Sequence, residues 1–318
     1  MAGTSGLVIA SQMDADFNAG LARHPAAPVL IDIGDDAPWA AATEADVLLV
    51  RPSLSWRQSA VPRPDPWPGR VKWVYSTCAG VAFYPPWLLD APLVTCGRGV
   101  AADEIADYVI AAIYAQAKNL EAVTARSRAQ WVHAPLGRVS GTTIGIIGLG
   151  AIGAAVARRG LALGAQVMGV RRSGAQAGVA GVQLVGDVAD LVARADHILL
   201  SVPATPHTRH LVDDALLARV KPGAHLINVA RGSVVDQAAL IRALDDGRLG
   251  FATLDVTDPE PLPEGHPLYT HPRVRLTPHV SSNYMQVLPR LLEKIHDDLT
   301  RFVRGEMPSD IVDPARGY

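Results

Sequence analysis

Cysteine is scarce: the 318-residue chain holds only Cys78 and Cys96. Two thiols make no disulfide framework, and nothing around them has metal-ligand spacing, so a reducing compartment and no metal site are expected. An excess of either charge is missing as well. The formal net charge is −2, which leaves no basic field for nucleic acid or anionic lipid. No apolar stretch approaches the roughly 18–20 residues that cross a bilayer. Met1–Ser11 carries no lysine or arginine ahead of its short apolar run Leu7–Ala10, against a secretory signal. The expectation is a cytoplasmic protein with neither nucleic acid nor membrane as partner. Internal repeats and low-complexity tails are also lacking, which excludes solenoids and arrays.

What is present is apolar material for more than one core: 49% of residues are hydrophobic and 19% charged. Short apolar runs bounded by Gly, Pro, Asp or Ser occur at Leu7–Ala10, Val29–Ile33, Val47–Val50, Val71–Tyr75 and Leu93–Cys96. They read as buried parallel strands. Four prolines make Val61–Gly69 a loop. A long helix is predicted from Ala101 to about Ala125. A second strand series follows at Ile144–Ile147, Val167–Val170, Val182–Val185, His197–Val202, Ala224–Val229 and Gly250–Val256, with a last helix over Asn283–Arg304. The pattern predicts two Rossmann-like, doubly wound parallel-sheet α/β domains with a cleft between them. Residues 1–100, completed by 283–318, form one domain and 101–282 the other.

Behind the strand Ile144–Ile147 lies a G-x-G-x-x-G motif at Gly148, Gly150 and Gly153, followed by a helix over Ala151–Leu163. The first glycine permits the tight turn, the second lets backbone approach a pyrophosphate, and the third lets helix and strand pack closely. The helix N-terminus then faces the phosphates. At the end of the next strand an NAD site usually has an acid for the ribose 2′-hydroxyl. Here stand Arg171, Arg172 and Ser173. Arginine pairs with a 2′-phosphate through a fork of donors, so NADP(H) is expected as the preferred cofactor, with NAD(H) second. The alternative is that both arginines are solvated surface residues.

Three later segments carry polar residues where a buried α/β core does not favour them: Asn228-Val229-Ala230-Arg231-Gly232, Asp255 through Leu262 with Glu260 and Pro261, and Thr277-Pro278-His279-Val280. Taken singly, Arg231 reads as a surface partner, Glu260 as a loop residue and His279 as a structural histidine. In this order behind a glycine motif, the chain resembles the D-isomer-specific 2-hydroxyacid dehydrogenase family over nearly its whole length. The glyoxylate/hydroxypyruvate reductase-like branch, with its arginine pair at the cofactor ribose, is the nearest.

The resemblance implies reduction of a small 2-keto acid to the D-2-hydroxy acid. Arg231 would anchor the carboxylate and the carbonyl oxygen, and His279 would be the general acid, oriented by Glu260. The 1–100 domain would bind substrate and the 101–282 domain the dinucleotide. Cofactor contacts fall on Gly148, Gly150, Ala151, Ile152, Gly153, Arg171, Arg172, Ser173, Val202, Pro203, Val229, Ala230, Asp255 and His279. Substrate contacts fall on Cys78, Ala79, Gly80, Arg231 and His279. The family usually has an acid or amide where this chain has Ala82. Aromatic residues Phe83, Tyr84 and Trp87, with Trp56 and Tyr284, would widen the pocket if several line it. The segment Gln116–Trp131 resembles the family's dimerisation arm, which implies a homodimer. The alternative from another class is a non-catalytic, dinucleotide-sensing protein on the same scaffold.

Overall fold

A computed structural model describes residues 6–40, 42–57, 61–81, 83–171 and 178–313. In chain order the elements are β1 (Val8–Ser11), α1 (Ala15–Leu21), β2 (Val29–Asp32), β3 (Val47–Val50), β4 (Trp73–Ser76), α2 (Pro86–Leu89), β5 (Val94–Cys96), α3 (Ala102–Lys118), α4 (Leu120–Val123), β6 (Thr143–Ile147), α5 (Ala151–Ala162), β7 (Gln166–Val170), β8 (Gln183–Leu184), α6 (Val188–Arg194), β9 (His197–Leu200), α7 (Asp214–Leu217), β10 (His225–Asn228), α8 (Gln237–Asp245), β11 (Phe251–Leu254), β12 (Val274–Leu276) and α9 (Tyr284–Val303). They fall into two compact units, Met1–Val100 with Tyr284–Tyr318, and Ala101–Asn283.

The first unit is a five-stranded parallel sheet in the order β2-β1-β3-β4-β5. Strands β3 and β4 are buried throughout because both faces are covered. On one face Ile9, Leu49, Trp73 and Tyr75 meet Phe17 and Leu21 of α1 and Leu291, Ile295 and Leu299 of α9. On the other, Ala10, Leu48 and Val50 pack with Trp56, Trp87 and Leu88. Val287, Leu291, Ile295 and Leu299 recur every fourth residue, so one stripe of α9 is apolar and is the stripe that is buried. Burying each such side chain stabilises by about 1.5–3 kcal/mol. Strand β2 departs from the sequence expectation of a buried strand. It is an edge strand, and Val29 remains 56% exposed.

The second unit is a seven-stranded sheet, β12-β11-β10-β9-β6-β7-β8, with every pairing parallel. Order reverses at β6/β9, and a sheet of this kind offers a crevice at that switch point beyond the carboxyl ends of its strands. Cores lie on both faces: Ile144, Ile146, Leu199 and Ile227 under α3 and α5, and Ile198, Leu200, Leu226 and Leu254 under the helices of the other side. The expected helix from 101 to 125 breaks at Asn119, whose left-handed backbone (φ 41°) ends α3 before the short α4. Asparagine tolerates that conformation better than other side chains. Beyond it Leu120, Trp131 and Val132 are exposed, Trp131 at 82%. No helix among the described residues is long and apolar enough to cross a membrane.

Candidate active site

Every polar segment singled out in the second half of the sequence lies beyond a strand's carboxyl end. The glycine turn follows β6. Gly148 has φ 106°, and a Cβ there would meet the Ser201 carbonyl at 2.7 Å, while one on Gly153 would lie 2.3 Å from the Gly148 carbonyl. A Cβ on Gly150 would meet nothing within 4 Å. Helix α5 follows Gly150, its N-cap residue, without a side-chain cap, so the amides of its first turn have no capping side chain. This is a cradle for an anion, and it fits a dinucleotide pyrophosphate. Ala151 is exposed, Ile152 half-buried and Gly153 buried. Val202, half-buried, and Pro203, exposed, follow β9 next door, and Ser201 Oγ donates to the Gly148 carbonyl at 2.8 Å. Arg171 stands half-buried at the end of β7; Arg172 and Ser173 lie outside the described residues.

Beyond β10 the buried Asn228 shapes the turn. Its side-chain oxygen accepts from the Ala230 amide (3.0 Å), and its amide donates to the Arg231 carbonyl (3.0 Å). Val229 and Ala230 are buried, while Arg231 is half-buried and donates from one terminal nitrogen to the Ala230 carbonyl. Gly232 is where this turn meets the next loop: a Cβ would sit 1.9 Å from the Thr257 carbonyl carbon. Only glycine lets the two loops approach so closely.

Asp255, beyond β11, is 1% exposed. Its carboxylate accepts from Thr277 Oγ (2.7 Å) and from the amides of Val280 (2.8 Å) and Ser281 (2.9 Å). Those bonds fix the segment carrying His279, which adopts φ 55°, a left-handed conformation rare for a side-chain-bearing residue. The His279 amide donates to the Asp255 carbonyl at 2.9 Å. Its Nδ1 lies 2.7 Å from Glu260 Oε1, which leaves Nε2 for an outside group. Both side chains stay accessible, at 44% and 36%. The Glu260 loop is anchored on both sides, by Gln237 of α8 bonding Asp258 and by buried Leu262, whose carbonyl accepts from Tyr269. A cavity of about 720 Å³ runs past Asp255, Glu260, Thr277 and His279.

Sequence reasoning missed Asn228 as a shaping residue, and it missed Tyr108. The Tyr108 hydroxyl lies 2.6 Å from Thr277 Oγ. Because the Thr277 proton is given to Asp255, Tyr108 must be the donor; burial pushes its phenol up, which keeps that proton in place. Only a tyrosine on the inward face of α3 could have signalled it. Asp255, expected among the cofactor contacts, also uses its carboxylate to hold the His279 segment.

In the first unit the loop beyond β4 holds the expected substrate contacts. Ser76 Oγ donates to the Cys78 carbonyl (2.9 Å), and the Cys78 thiol turns back to the Gly80 carbonyl (3.0 Å). Ala79 is exposed, Cys78 and Gly80 half-buried, and Ala82 lies outside the described residues. Of the aromatic candidates, Trp56, Tyr84 and Trp87 are buried in the core, where Trp56 meets Tyr84 edge to face and Trp87 at a tilt. Phe83 is half-buried beside Tyr84, and Tyr284 is 40% exposed on a cavity of this unit.

A glycine turn at the switch point, an arginine two strands away beyond β10, and a carboxylate–histidine pair three and four strands away beyond β11 and β12 make the arrangement of a nicotinamide-dependent dehydrogenase. Comparison with known proteins narrows the class. Residues 110–281 match the model of the D-isomer specific 2-hydroxyacid dehydrogenase NAD binding domain. The chain is 37% identical over 229 residues to glyoxylate reductase of Korarchaeum cryptofilum, covering 69% of this chain and 68% of that one. It is 32% identical over 263 residues to glyoxylate/hydroxypyruvate reductase A of Serratia proteamaculans, 79% of this chain and 82% of the relative. A solved D-isomer specific 2-hydroxyacid dehydrogenase from Xanthobacter autotrophicus, in complex with NADPH and MES, aligns with TM-score 0.78 and 29% identity over 99% of this chain and 100% of its own. The chain therefore belongs to the D-isomer specific 2-hydroxyacid dehydrogenase family, in its glyoxylate/hydroxypyruvate reductase-like branch. It is an NAD(P)-dependent oxidoreductase of 2-keto acids.

Proposed function

We propose that the protein reduces a short 2-keto acid to the D-2-hydroxy acid, with NADP(H) preferred and NAD(H) accepted more weakly. The observation that carries this reading is the 2.7 Å His279–Glu260 pair, placed beside the Arg231 turn on one strand-end edge. When bound, the nicotinamide supplies the hydride. Arg231 presents a planar fork to the substrate carboxylate and to the carbonyl oxygen, where charge develops during reduction. His279 delivers a proton from Nε2 to that oxygen, and takes it back in the oxidative direction. Glu260 accepts from Nδ1, so the tautomer and ring plane of His279 are set before substrate arrives. The Ala79 and Gly80 amides hold the carboxylate from the first unit, which is the substrate domain in this reading. The second unit, with Gly148, Gly150 and Gly153, is the dinucleotide domain.

Arg171 at the end of β7, with no acid in the adjoining sequence, supports the NADP(H) preference. The exposed apolar side chains Leu120, Trp131 and Val132 support a homodimer built on this arm, which light scattering tests. The function is tested by following nicotinamide absorbance with glyoxylate, hydroxypyruvate, pyruvate and phenylpyruvate and either cofactor. Turnover lost in Arg231→Ala and His279→Ala is expected. Tight NADPH binding with no turnover of any keto acid points instead to a dinucleotide-sensing scaffold.

A further inference from the structure

In the first unit the order β2-β1-β3-β4-β5 reverses at β1/β3, and a cavity of about 250 Å³ lies beyond that point. Its wall carries Gln12 and Asp14 behind β1, Asp32 and Asp35 at the end of β2, Arg51 behind β3, and Tyr284. An arginine on such a wall ordinarily attracts a second anionic group of a substrate. Arg51 is already paired with a carboxylate of the protein. Its guanidinium is ion-paired with the Asp35 carboxylate and donates from Nε to the Gln12 carbonyl at 3.0 Å.

Gln12, 2% exposed, locks this arrangement. It donates to Asp35 Oδ1 (2.7 Å) and Ser53 Oγ (3.0 Å), and its side-chain oxygen accepts from the Arg51 amide (3.1 Å) and from Trp56 Nε1 (2.9 Å). Asp35 cannot leave Arg51 without breaking a bond to a buried side chain. Asp14 and Asp32 each spend one oxygen on a backbone amide, of Phe17 and Gly34, and keep the other. Three carboxylates against one guanidinium leave this wall with an excess of negative charge and of hydrogen-bond acceptors.

The loop proposed to hold the substrate carboxylate is the neighbour of this cavity. Strand β3 pairs with both β1 and β4, and the Thr77 amide, one residue before Cys78, donates to the carbonyl of Val50, one residue before Arg51. We propose that the cavity receives the side chain of the 2-keto acid, and that Asp35 is a specificity-determining residue. By occupying Arg51 it makes the subsite reject a second carboxylate or phosphate and favour a chain end that donates hydrogen bonds, a hydroxyl or an amino group. This rests on the assignment of the Cys78–Gly80 loop to the substrate carboxylate.

The test measures kcat/KM for each acid as a ratio to glyoxylate, which has no side chain to enter the cavity. In the unmodified enzyme 2-oxoglutarate falls at least ~tenfold below 2-oxopentanoate, and 4-hydroxy-2-oxobutanoate lies above 2-oxobutanoate. Asp35→Asn frees Arg51, and the 2-oxoglutarate ratio rises by at least ~tenfold. Arg51→Gln added to Asp35→Asn abolishes that rise. A ratio unmoved by Asp35→Asn, a rise that persists in the double variant, or a native preference for 2-oxoglutarate overturns the proposal while leaving the reductase reading intact. Absence of turnover with glyoxylate and every other acid overturns the reductase reading, and this inference with it.

Discussion

Replacing Thr277 by valine keeps the side-chain volume and removes one hydroxyl, at the point where two hydrogen bonds meet. The hydroxyl accepts from Tyr108 at 2.6 Å and donates to the Asp255 carboxylate at 2.7 Å. A neutral hydrogen bond contributes about 1 kcal/mol net, and one to a charged group about 1.5–3 kcal/mol. The substitution should therefore cost about 3 kcal/mol, with no cavity to add to it. For a unit of this size that is a drop of about 6–12 °C in the unfolding transition. A second effect is expected in catalysis, because Asp255 also holds the amides of Val280 and Ser281, the two that directly follow the His279 backbone turn. With one of its three donors gone the imidazole loses definition, and kcat should fall about tenfold with little change in the KM for the keto acid. Differential scanning fluorimetry and steady-state kinetics measure the two effects separately. Tyr108→Phe alone should cost about 1 kcal/mol, and almost nothing once Thr277 is valine, because both remove the same bond. A lower transition temperature with an unchanged kcat refutes the positioning role; an unchanged transition temperature refutes the bond network itself.

Exchanging Arg171 and Arg172 together for alanine should raise the KM for NADPH about tenfold or more and leave that for NADH nearly unchanged; equal effects on both cofactors refute the 2′-phosphate assignment. Gly232→Ala must push the Arg231 turn away from Thr257, so kcat/KM should fall by at least about a hundredfold while the far-ultraviolet circular dichroism spectrum is kept. His225 is fully buried, and burial beside His197 pushes its imidazole down to about 3. A histidine with a depressed folded value stabilises fully above its unfolded value of about 6.5, and that stability is lost as pH falls from there toward the folded value. About 2 kcal/mol should be gone at pH 5, read as a lower urea midpoint than at pH 7, and His225→Leu should flatten the difference. Equal midpoints for the native protein at the two pH values count against the buried neutral imidazole.

Strands buried on both faces were readable from continuous apolar runs: Val47–Val50 has the same limits in sequence and structure, and most others agree within a residue or two. Strand β12 was not readable. It is three half-buried residues with Arg275 in the middle, and its place at the sheet edge comes from pairing with β11 rather than from its own composition. The break at Asn119 was hidden because apolar spacing continues through it into Leu120. In the site, residue types with distinctive chemistry stood out in the sequence, and the fold brings His279 and Glu260, nineteen positions apart, into contact. The roles of residues that act through others did not stand out. Asn228 and Thr277 lay in the polar segments already singled out and Tyr108 did not, but for all three only the tertiary hydrogen bonds reveal the positioning role. The pairing of Arg51 with Asp35 was equally silent, since it depends on strand order rather than on spacing.

This division has a physical cause that bears on how the site is held. An imidazole–carboxylate pair with both partners more than a third exposed is weakly held by its own attraction, because water competes for each charge. Its geometry must then be imposed from below. The structure supplies that support in the buried Asp255 carboxylate, whose donors come from a side chain and from the two amides just after His279. Charge-assisted bonds out of water are the strong ones, and removing a donor leaves a buried charge short of a partner. The left-handed turn at His279 is thus held by a group that need not touch substrate at all. Asp255→Asn should therefore damage activity more than its distance from the Nε2 nitrogen suggests, since an amide placed there opposes one of the donors it is meant to accept.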